Sequence, residues 1–306
     1  MRLCGDLGGT KVLLALVDAA GQITHQCRLA SADFSSFDDL LAEYLRGVSV
    51  SIEGGCLAVA GPVSDDGRSA KITNLSWTVD CAALEAAFRL GHLSLINDFA
   101  GVALGVTTLP PDQLVTLQAG QACTDGVRLV IGAGTGLGMA ILSGDDILPS
   151  EGGHVGFAPR DAEQAGVWQA LLRKHGRVTV ERVVSGPGLA TIHRVLAGDT
   201  LDPAEIAERA LAGDSAARHT IDFFFAAYGA FAGDMAMAVM ARGGVILAGG
   251  VTQRLLPLMA ESSFLAAFND KAEHADLVRR MPVQVVKEPE IGLRGAAVAA
   301  RRSRLC

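Results

Sequence analysis

The sequence predicts an α/β protein built as two domains, and three observations carry that prediction. At 306 residues the chain is long enough for two cores. Half of its residues are hydrophobic, with 36 glycines and only 5% aromatics. That mix suits strands and helices joined by tight turns and packed through small residues. Third, one local plan occurs twice. Arg2 to Asp6 reads as a strand, Leu7-Gly8-Gly9-Thr10 as a turn, and Val12 to Val17 as the return strand. Val127 to Ile131, Gly132-Ala133-Gly134-Thr135-Gly136 and Leu137 to Leu142 repeat it. We read the repeat as a structural duplication.

The remaining elements follow from periodicity. Gln22 to Leu29 reads as a third strand after the first hairpin, and Gly144-Asp145 as the turn that closes the second. Further strands fit Cys56–Ala60, Leu93–Asn97, Gly244–Ala248 and Val283–Val286. In Phe37–Leu45 the residues Phe37, Leu40, Leu41, Tyr44 and Leu45 share one helical face. Helices also fit Cys81–Leu90, Ala162–His175, Pro187–Leu196, Pro203–Ala212 and Ser215–Ala241, the last capped by Asp214 or Ser215. No low-complexity linker separates the halves.

Charge and composition exclude several function classes. A formal net charge of −7 argues against nucleic acid as a partner. Arg301, Arg302 and Arg304 are too few for a polybasic patch and read as a solvated helix end. The N-terminus reaches Gly5 and Asp6 before an apolar leader could form, so no targeting segment is expected. The most apolar run, Phe223 to Ala241, contains Asp234 and many alanines, and reads as a buried helix rather than a membrane span. Cys4, Cys27, Cys56, Cys81, Cys123 and Cys306 form no CxxC pair, which predicts reduced thiols in a cytoplasmic protein and no zinc or redox motif.

The two glycine turns are the first candidate chemistry. Glycine lets backbone N–H groups approach a phosphate closely, and several together make an anion cradle. Gly8, Gly9 and Thr10 suit that task, with Asp6 placed to hold Mg²⁺ through water. Gly132, Gly134, Thr135 and Gly136 offer a second cradle. Neither fits a dinucleotide fingerprint, since Leu137 stands where the third glycine is needed and a strand follows; no GxxxxGK[ST] exists. Alone, each turn also reads as an ordinary hairpin. The pair together favours nucleotide phosphates.

Polar residues gather at three further points. Asn97 and Asp98 follow the strand Leu93–Ile96, where a carboxylate can accept a proton from an attacking hydroxyl. Asp98 before Phe99-Ala100-Gly101 equally reads as a helix N-cap. Glu151-Gly152-Gly153-His154 puts an acid and an imidazole on a tight loop, although a lone His is more often structural. Glu181, before Ser185-Gly186-Pro187-Gly188, reads by itself as an exposed helix acid paired with Arg182 or another base. As a set these groups suit a polyol, whose hydroxyls both donate and accept.

Asp6–Thr10, Ile96–Phe99, Gly132–Gly138, Glu151–His154 and Glu181–Gly188 resemble, in order, the motifs of the bacterial glucokinases. Ala248-Gly249-Gly250 and Thr73-Asn74-Leu75-Ser76-Trp77 fit as well, and the likeness covers essentially the whole chain. The resemblance implies the two-domain actin-like ATPase (ribonuclease H-like) fold with an active-site cleft between the domains. The domains would be 1–104 plus 292–306, and 105–291, with Gly292–Ala297 in a helix returning to the first. It implies transfer of the γ-phosphate of ATP to the 6-hydroxyl of glucose, with Mg²⁺ carried by ATP. Asp98 would be the catalytic base. Asn97, Asp98, Glu151, His154 and Glu181 would hold glucose, the two glycine turns would face the phosphates, and Gly249 and Gly250 would lie by the adenosine. A homodimer is the expected assembly.

Two positions depart from the family pattern: Lys11 stands where Asn is frequent, and Gly156 where an acid is frequent. A related group of kinases and repressors carries a cysteine-rich zinc motif after the His loop. Here no cysteine lies between Cys123 and Cys306, so no structural zinc is expected. The alternatives are another hexose acceptor (mannose, fructose or an N-acetylated amino sugar), ADP or polyphosphate as donor, a non-catalytic sugar sensor and an actin-like filament protein. A sensor would need a DNA-binding module, for which the position of Gly5 leaves no room, and a filament protein has no use for the sugar-binding set.

Overall fold

A computed structural model describes residues 1–73, 75–144 and 146–302. Asn74, Asp145, Arg304 and Cys306 lie outside the described residues. The chain divides into two compact units, Met1–Leu109 with Glu290–Cys306, and Pro110–Pro289.

The first unit contains β1 (Arg2–Leu7), β2 (Lys11–Val17), β3 (Ile23–Ala30), α1 (Phe37–Arg46), β4 (Gly54–Val59), β5 (Ser69–Lys71), β6 (Thr78–Asp80), α2 (Cys81–Phe88), β7 (His92–Asn97) and α3 (Asp98–Val106). Its main sheet runs β3-β2-β1-β4-β7, with β1–β3 antiparallel in turn and β1, β4 and β7 parallel. Strand β2 is buried from Val12 to Val17 because both of its faces are covered. Val12, Leu14 and Leu16 join Phe37, Leu40, Leu41 and Tyr44 of α1. The alternate residues Leu13, Ala15 and Val17 face the other way, as a two-residue period requires.

The second unit contains β8 (Leu114–Gln118), β9 (Arg128–Ala133), β10 (Leu137–Ser143), β11 (Asp146–Ser150), α4 (Ala162–His175), α5 (Gly186–Ala197), α6 (Pro203–Leu211), α7 (Ser215–Ala238), β12 (Gly244–Ala248), α8 (Gly250–Met259), α9 (Phe264–Asn269), α10 (Ala275–Arg279) and β13 (Val283–Val286). Its sheet runs β11-β10-β9-β12-β13-β8. Strands β9–β11 are antiparallel in turn and β9, β12 and β13 are parallel, repeating the order and directions of the first sheet with β8 added at the edge. The duplication read from the hairpins is therefore a duplication of sheet topology.

Helix α7 is the apolar segment that begins after Asp214, whose side chain accepts from the Ala217 N–H and caps it. It is held within its unit by Phe224, Phe225 and Tyr228, packed with Phe264 and Phe268 of α9. No helix among the described residues is long and apolar enough to cross a membrane. The five described cysteines are free. The chain ends with α11 (Ile291–Arg302), which belongs to the first unit. Its Leu293, Ala296, Ala297 and Ala300 cover the face of the first sheet formed by Cys4, Leu13, Ala15, Val17, Cys56 and Ala58.

One ion pair anchors the strand that delivers Asn97 and Asp98. Arg68 grips Glu85 through two hydrogen bonds of 2.7 and 2.8 Å, and Glu85 also accepts from the Leu93 N–H at 2.6 Å. The hydrogen bond from Arg68 holds the Glu85 carboxyl below its ordinary value of 4.5. Stabilisation from this pair is thus fully present above pH 4.5 and is lost as pH falls through the lowered folded value. Glu85→Gln is expected to destabilise the chain by about 1–3 kcal/mol at neutral pH. Calorimetric midpoints of variant and wild type should converge in acid; a gap that persists there would remove the ion pair as its cause.

Candidate active site

In the first unit the parallel register aligns the candidate groups. Asp6 of β1 pairs with Ala58, and Ala58 with Ile96; Leu7 pairs with Val59, and Val59 with Asn97. The carboxyl ends of β1 and β7 therefore lie level, two strand spacings or roughly 10 Å apart. Ligands of α/β sheets gather at such strand ends.

The turn after β1 is closed by the Gly8 N–H, which donates to the Lys11 carbonyl at 3.0 Å. The Ser31 hydroxyl donates to the Gly8 carbonyl at 3.2 Å and the Ser31 N–H to that of Thr10, also at 3.2 Å. Gly9 and Thr10 remain the turn's candidate donors. Asp6 is half-buried, and no hydrogen bond or ion pair reaches its carboxylate among the described residues. Burial pushes its pKa up to about 6, opposed by the charge of Lys11.

The N-cap of α3 is Asn97, not Asp98. The Asn97 side-chain oxygen accepts from the N–H groups of Phe99 at 2.9 Å and Ala100 at 3.4 Å. Asp98 is the first helical residue, half-buried, with one carboxylate oxygen 2.8 Å from the Phe99 nitrogen. The alternative reading of Asp98 as the helix cap is therefore not met, because Asn97 takes that place. The amide oxygen one residue earlier reaches the helix end, and Asp98 keeps a carboxylate at the strand edge.

In the second unit the turn between β9 and β10 is shorter than the sequence suggests. Gly132 lies inside β9, paired with Gly138 on one side and Ala248 on the other. Its backbone belongs to the sheet, which leaves Gly134, Thr135 and Gly136 as the turn. The Gly134 N–H donates across it to the Gly136 carbonyl at 2.8 Å, and the Gly186 N–H to the Gly134 carbonyl at 2.9 Å. Gly249 precedes α8 with φ +93°, a conformation that favours glycine, and closely abuts Ala133 at the end of β9. Gly134–Gly136, Gly249 and Gly250 thus share one end of the sheet.

Glu181 is no exposed helix acid. It lies on the one-turn 3₁₀ segment Val180–Arg182, and its Oε2 accepts from the Leu137 N–H at 2.9 Å. A Cβ at Gly136 would lie 2.5 Å from that oxygen, so the glycine also makes room for the carboxylate. Composition gave no sign of the Leu137 contact, although a glycine directly before a strand was its trace in the sequence. The imidazole of His154 lies between two acids, with Nδ1 3.2 Å from Glu151 and Nε2 3.8 Å from Glu181. Glu151 is largely exposed, and Glu181 is the most enclosed of the three. Gly152 and Gly153 seat this loop on β10: a Cβ at Gly153 would lie 2.0 Å from the Leu137 carbonyl oxygen. The second unit therefore gathers Glu151, His154, Glu181 and the Gly134–Gly136 turn, while the first gathers Asp6, the Gly8–Thr10 turn, Asn97 and Asp98.

The Gly153 contact separates two neighbouring glycines. Gly153→Ala is expected to lower the thermal midpoint by several degrees, whereas Gly156→Ala, with open space at its Cβ position, should leave it unchanged. Equal midpoints by scanning calorimetry would show that the loop is not seated on β10.

The chain as a whole is similar to known proteins in sequence and in fold. A glucokinase family model fits residues 3–303. The chain is 37% identical to a glucokinase of Trichormus variabilis over 98% of both proteins. A glucokinase crystal structure from an Antarctic psychrotroph superposes with a TM-score of 0.84 at 33% identity, covering 99% of each chain. A glucokinase of the ROK family from Streptomyces griseus, solved with glucose and AMPPNP, shares the fold at 22% identity and a TM-score of 0.72 over 99% of each chain. With its duplicated sheets and this match along its length, the chain has the two-domain actin-like fold of sugar kinases and belongs to the glucokinase family.

Proposed function

We propose that this chain transfers the γ-phosphate of ATP to the 6-hydroxyl of glucose, giving glucose 6-phosphate and ADP. Family membership makes it an ATP-dependent sugar kinase. The observation that carries the sugar reading is the Glu151–His154–Glu181 array. Two carboxylates accept hydroxyl protons, and the imidazole between them can donate or accept, so the array can bind several hydroxyls of one pyranose. Fixing Glu181 through the Leu137 N–H orients one acceptor before the sugar arrives, which raises selectivity because a missing hydroxyl strands a buried partner.

Asp98 is the proposed base. In a loose phosphoryl-transfer transition state the nucleophile loses its proton late, so Asp98 chiefly orients the 6-hydroxyl and accepts the proton as the new O–P bond forms. Asn97 would bind the sugar beside it. The backbone N–H groups of Gly9, Thr10, Thr135 and Gly136 would bind phosphate oxygens, and Gly249 and Gly250 would adjoin the adenosine.

No cluster of three or more metal-ligating side chains occurs among the described residues. A Mg²⁺ that arrives with ATP fits this donor set, because such ions keep most of their water and take one or two carboxylates. Asp6, whose carboxylate makes no hydrogen bond or ion pair among the described residues, is the residue that would hold it, through water. The ion's contribution would be to neutralise charge on the phosphates.

A cytoplasmic homodimer acting at the start of glucose breakdown completes this reading. The free thiols of the five described cysteines support the compartment.

A coupled assay with ATP, Mg²⁺ and a hexose panel tests the assignment. Glucose is expected to give the highest kcat/KM, and a clear preference for mannose, fructose or an N-acetylated amino sugar would reassign the acceptor. Asp98→Ala should lower kcat by roughly 10²–10⁴ with much of the sugar affinity kept. Wild-type turnover in that variant would remove Asp98 from the chemistry. Glu181→Gln should act mainly on glucose KM, and an unchanged KM would make the residue a bystander.

A further inference from the structure

We propose that Gly292 is a positioning residue: the side chain it lacks leaves the space in which the Asp6 carboxylate sits, so helix α11 sets where that carboxylate stands beside the phosphate turn. The proposal rests on the reading of Gly8–Thr10 as a nucleotide turn and extends it to a residue far away in sequence.

The contact is close and directional. A Cβ on Gly292 would lie 2.6 Å from Asp6 Oδ2, 2.9 Å from Cγ and 3.3 Å from Oδ1, against the carboxylate itself. Asp6 cannot retreat along its backbone, because β1 is paired on both sides, with Leu13 of β2 and Ala58 of β4. Helix α11 is held in place as well, because Leu293, Ala296, Ala297 and Ala300 pack on the first sheet. One turn on, along the same side as Gly292, it meets α3 so closely that a Cβ on Gly295 would fall 1.6 Å from the Gly101 carbonyl oxygen. A Cβ on Gly105 would fall 2.2 Å from that of Ile291. The movable part is the carboxylate, which would have to swing away from α11.

That carboxylate has no structural duty to explain its place. No hydrogen bond or ion pair reaches it among the described residues, and it is half-buried. Polar groups withdrawn from water are ordinarily hydrogen-bonded, so one with no hydrogen bond or ion pair among the described residues, beside a glycine cradle, fits a group held for a ligand. The α3 that braces α11 is also the helix that begins with Asp98. One glycine therefore fixes the carboxylate offered to the nucleotide side against the helix that carries the proposed base.

The test is a double-mutant cycle read by thermal unfolding, joined to kinetics and calorimetric binding of MgADP. Gly292→Ala is expected to lower the unfolding midpoint in the wild-type background. In Asp6→Ser, whose shorter side chain leaves room for the new Cβ, the same substitution should cost little. If Gly292→Ala alone fails to fold, recovery of the fold by adding Asp6→Ser supports the contact just as well.

In the folded single variant kcat should fall about 10- to 100-fold, the size of effect a misplacement near 1 Å produces. MgADP binding should weaken, with glucose KM held within about twofold. Equal midpoint losses in both backgrounds, or no recovery of the fold, would overturn the contact. A folded Gly292→Ala chain with unchanged kcat and MgADP binding would overturn the positioning role. A wild-type chain that bound no MgADP would instead overturn the nucleotide reading beneath it, while the midpoints still decided the contact.

Discussion

The hydrogen bond from the Leu137 N–H to Glu181 ties together the groups gathered in the second unit. It joins the first residue of β10 to a short 3₁₀ segment 44 positions later. The carboxylate so held is the one His154 approaches through Nε2, and His154 in turn approaches Glu151. Without that bond Glu181 would be a mobile acid, and the imidazole would lose the fixed member of its pair of carboxylates. Glycines 136 and 153 are the steric conditions for the arrangement, since a side chain at either would collide with Glu181 or with the Leu137 carbonyl. The Glu151–His154–Glu181 array is thus made from backbone geometry as much as from its acids.

The first unit solves a different problem. The parallel run β1-β4-β7 sets Asp6 level with Ile96, two residues before Asp98, so both carboxylates come to the same end of the sheet. Burial on both faces keeps that register, because α1 and α11 cover opposite sides of the same strands. The glycines between α3 and α11 then bring two helix backbones closer than any side chain allows. Asp6 retains a raised pKa in this setting, which is the cost of holding a carboxylate with little protein compensation. Such groups are commonly functional rather than structural.

Much of this was legible in the residues. The β-branched and aliphatic strands, the amphipathic helix at Phe37 and the boundaries of Ala162–His175 follow local periodicity and capping, and the structure has them. The doubled strand–turn–strand plan pointed correctly to doubled sheets. Legibility fell where two local preferences competed. Asn97 and Asp98 can each cap a helix, and only the path of the chain leaving β7 decided for Asn97. Gly132 looks like its glycine neighbours, yet pairing with Gly138 and Ala248 draws it into the sheet.

What the sequence determined by itself was the chemistry available: which acids, imidazole and glycine turns exist, and the two-unit α/β class that carries them. Those are matters of residue identity and of periods two and 3.6, which are local. The tertiary structure alone decided which groups meet. Glu181 reaches Leu137, and Gly292 faces Asp6 across nearly the whole length of the chain. The physical reason is that close approach depends on side chains that are absent, and a glycine's value to a distant carboxylate becomes visible only once strands and helices have packed.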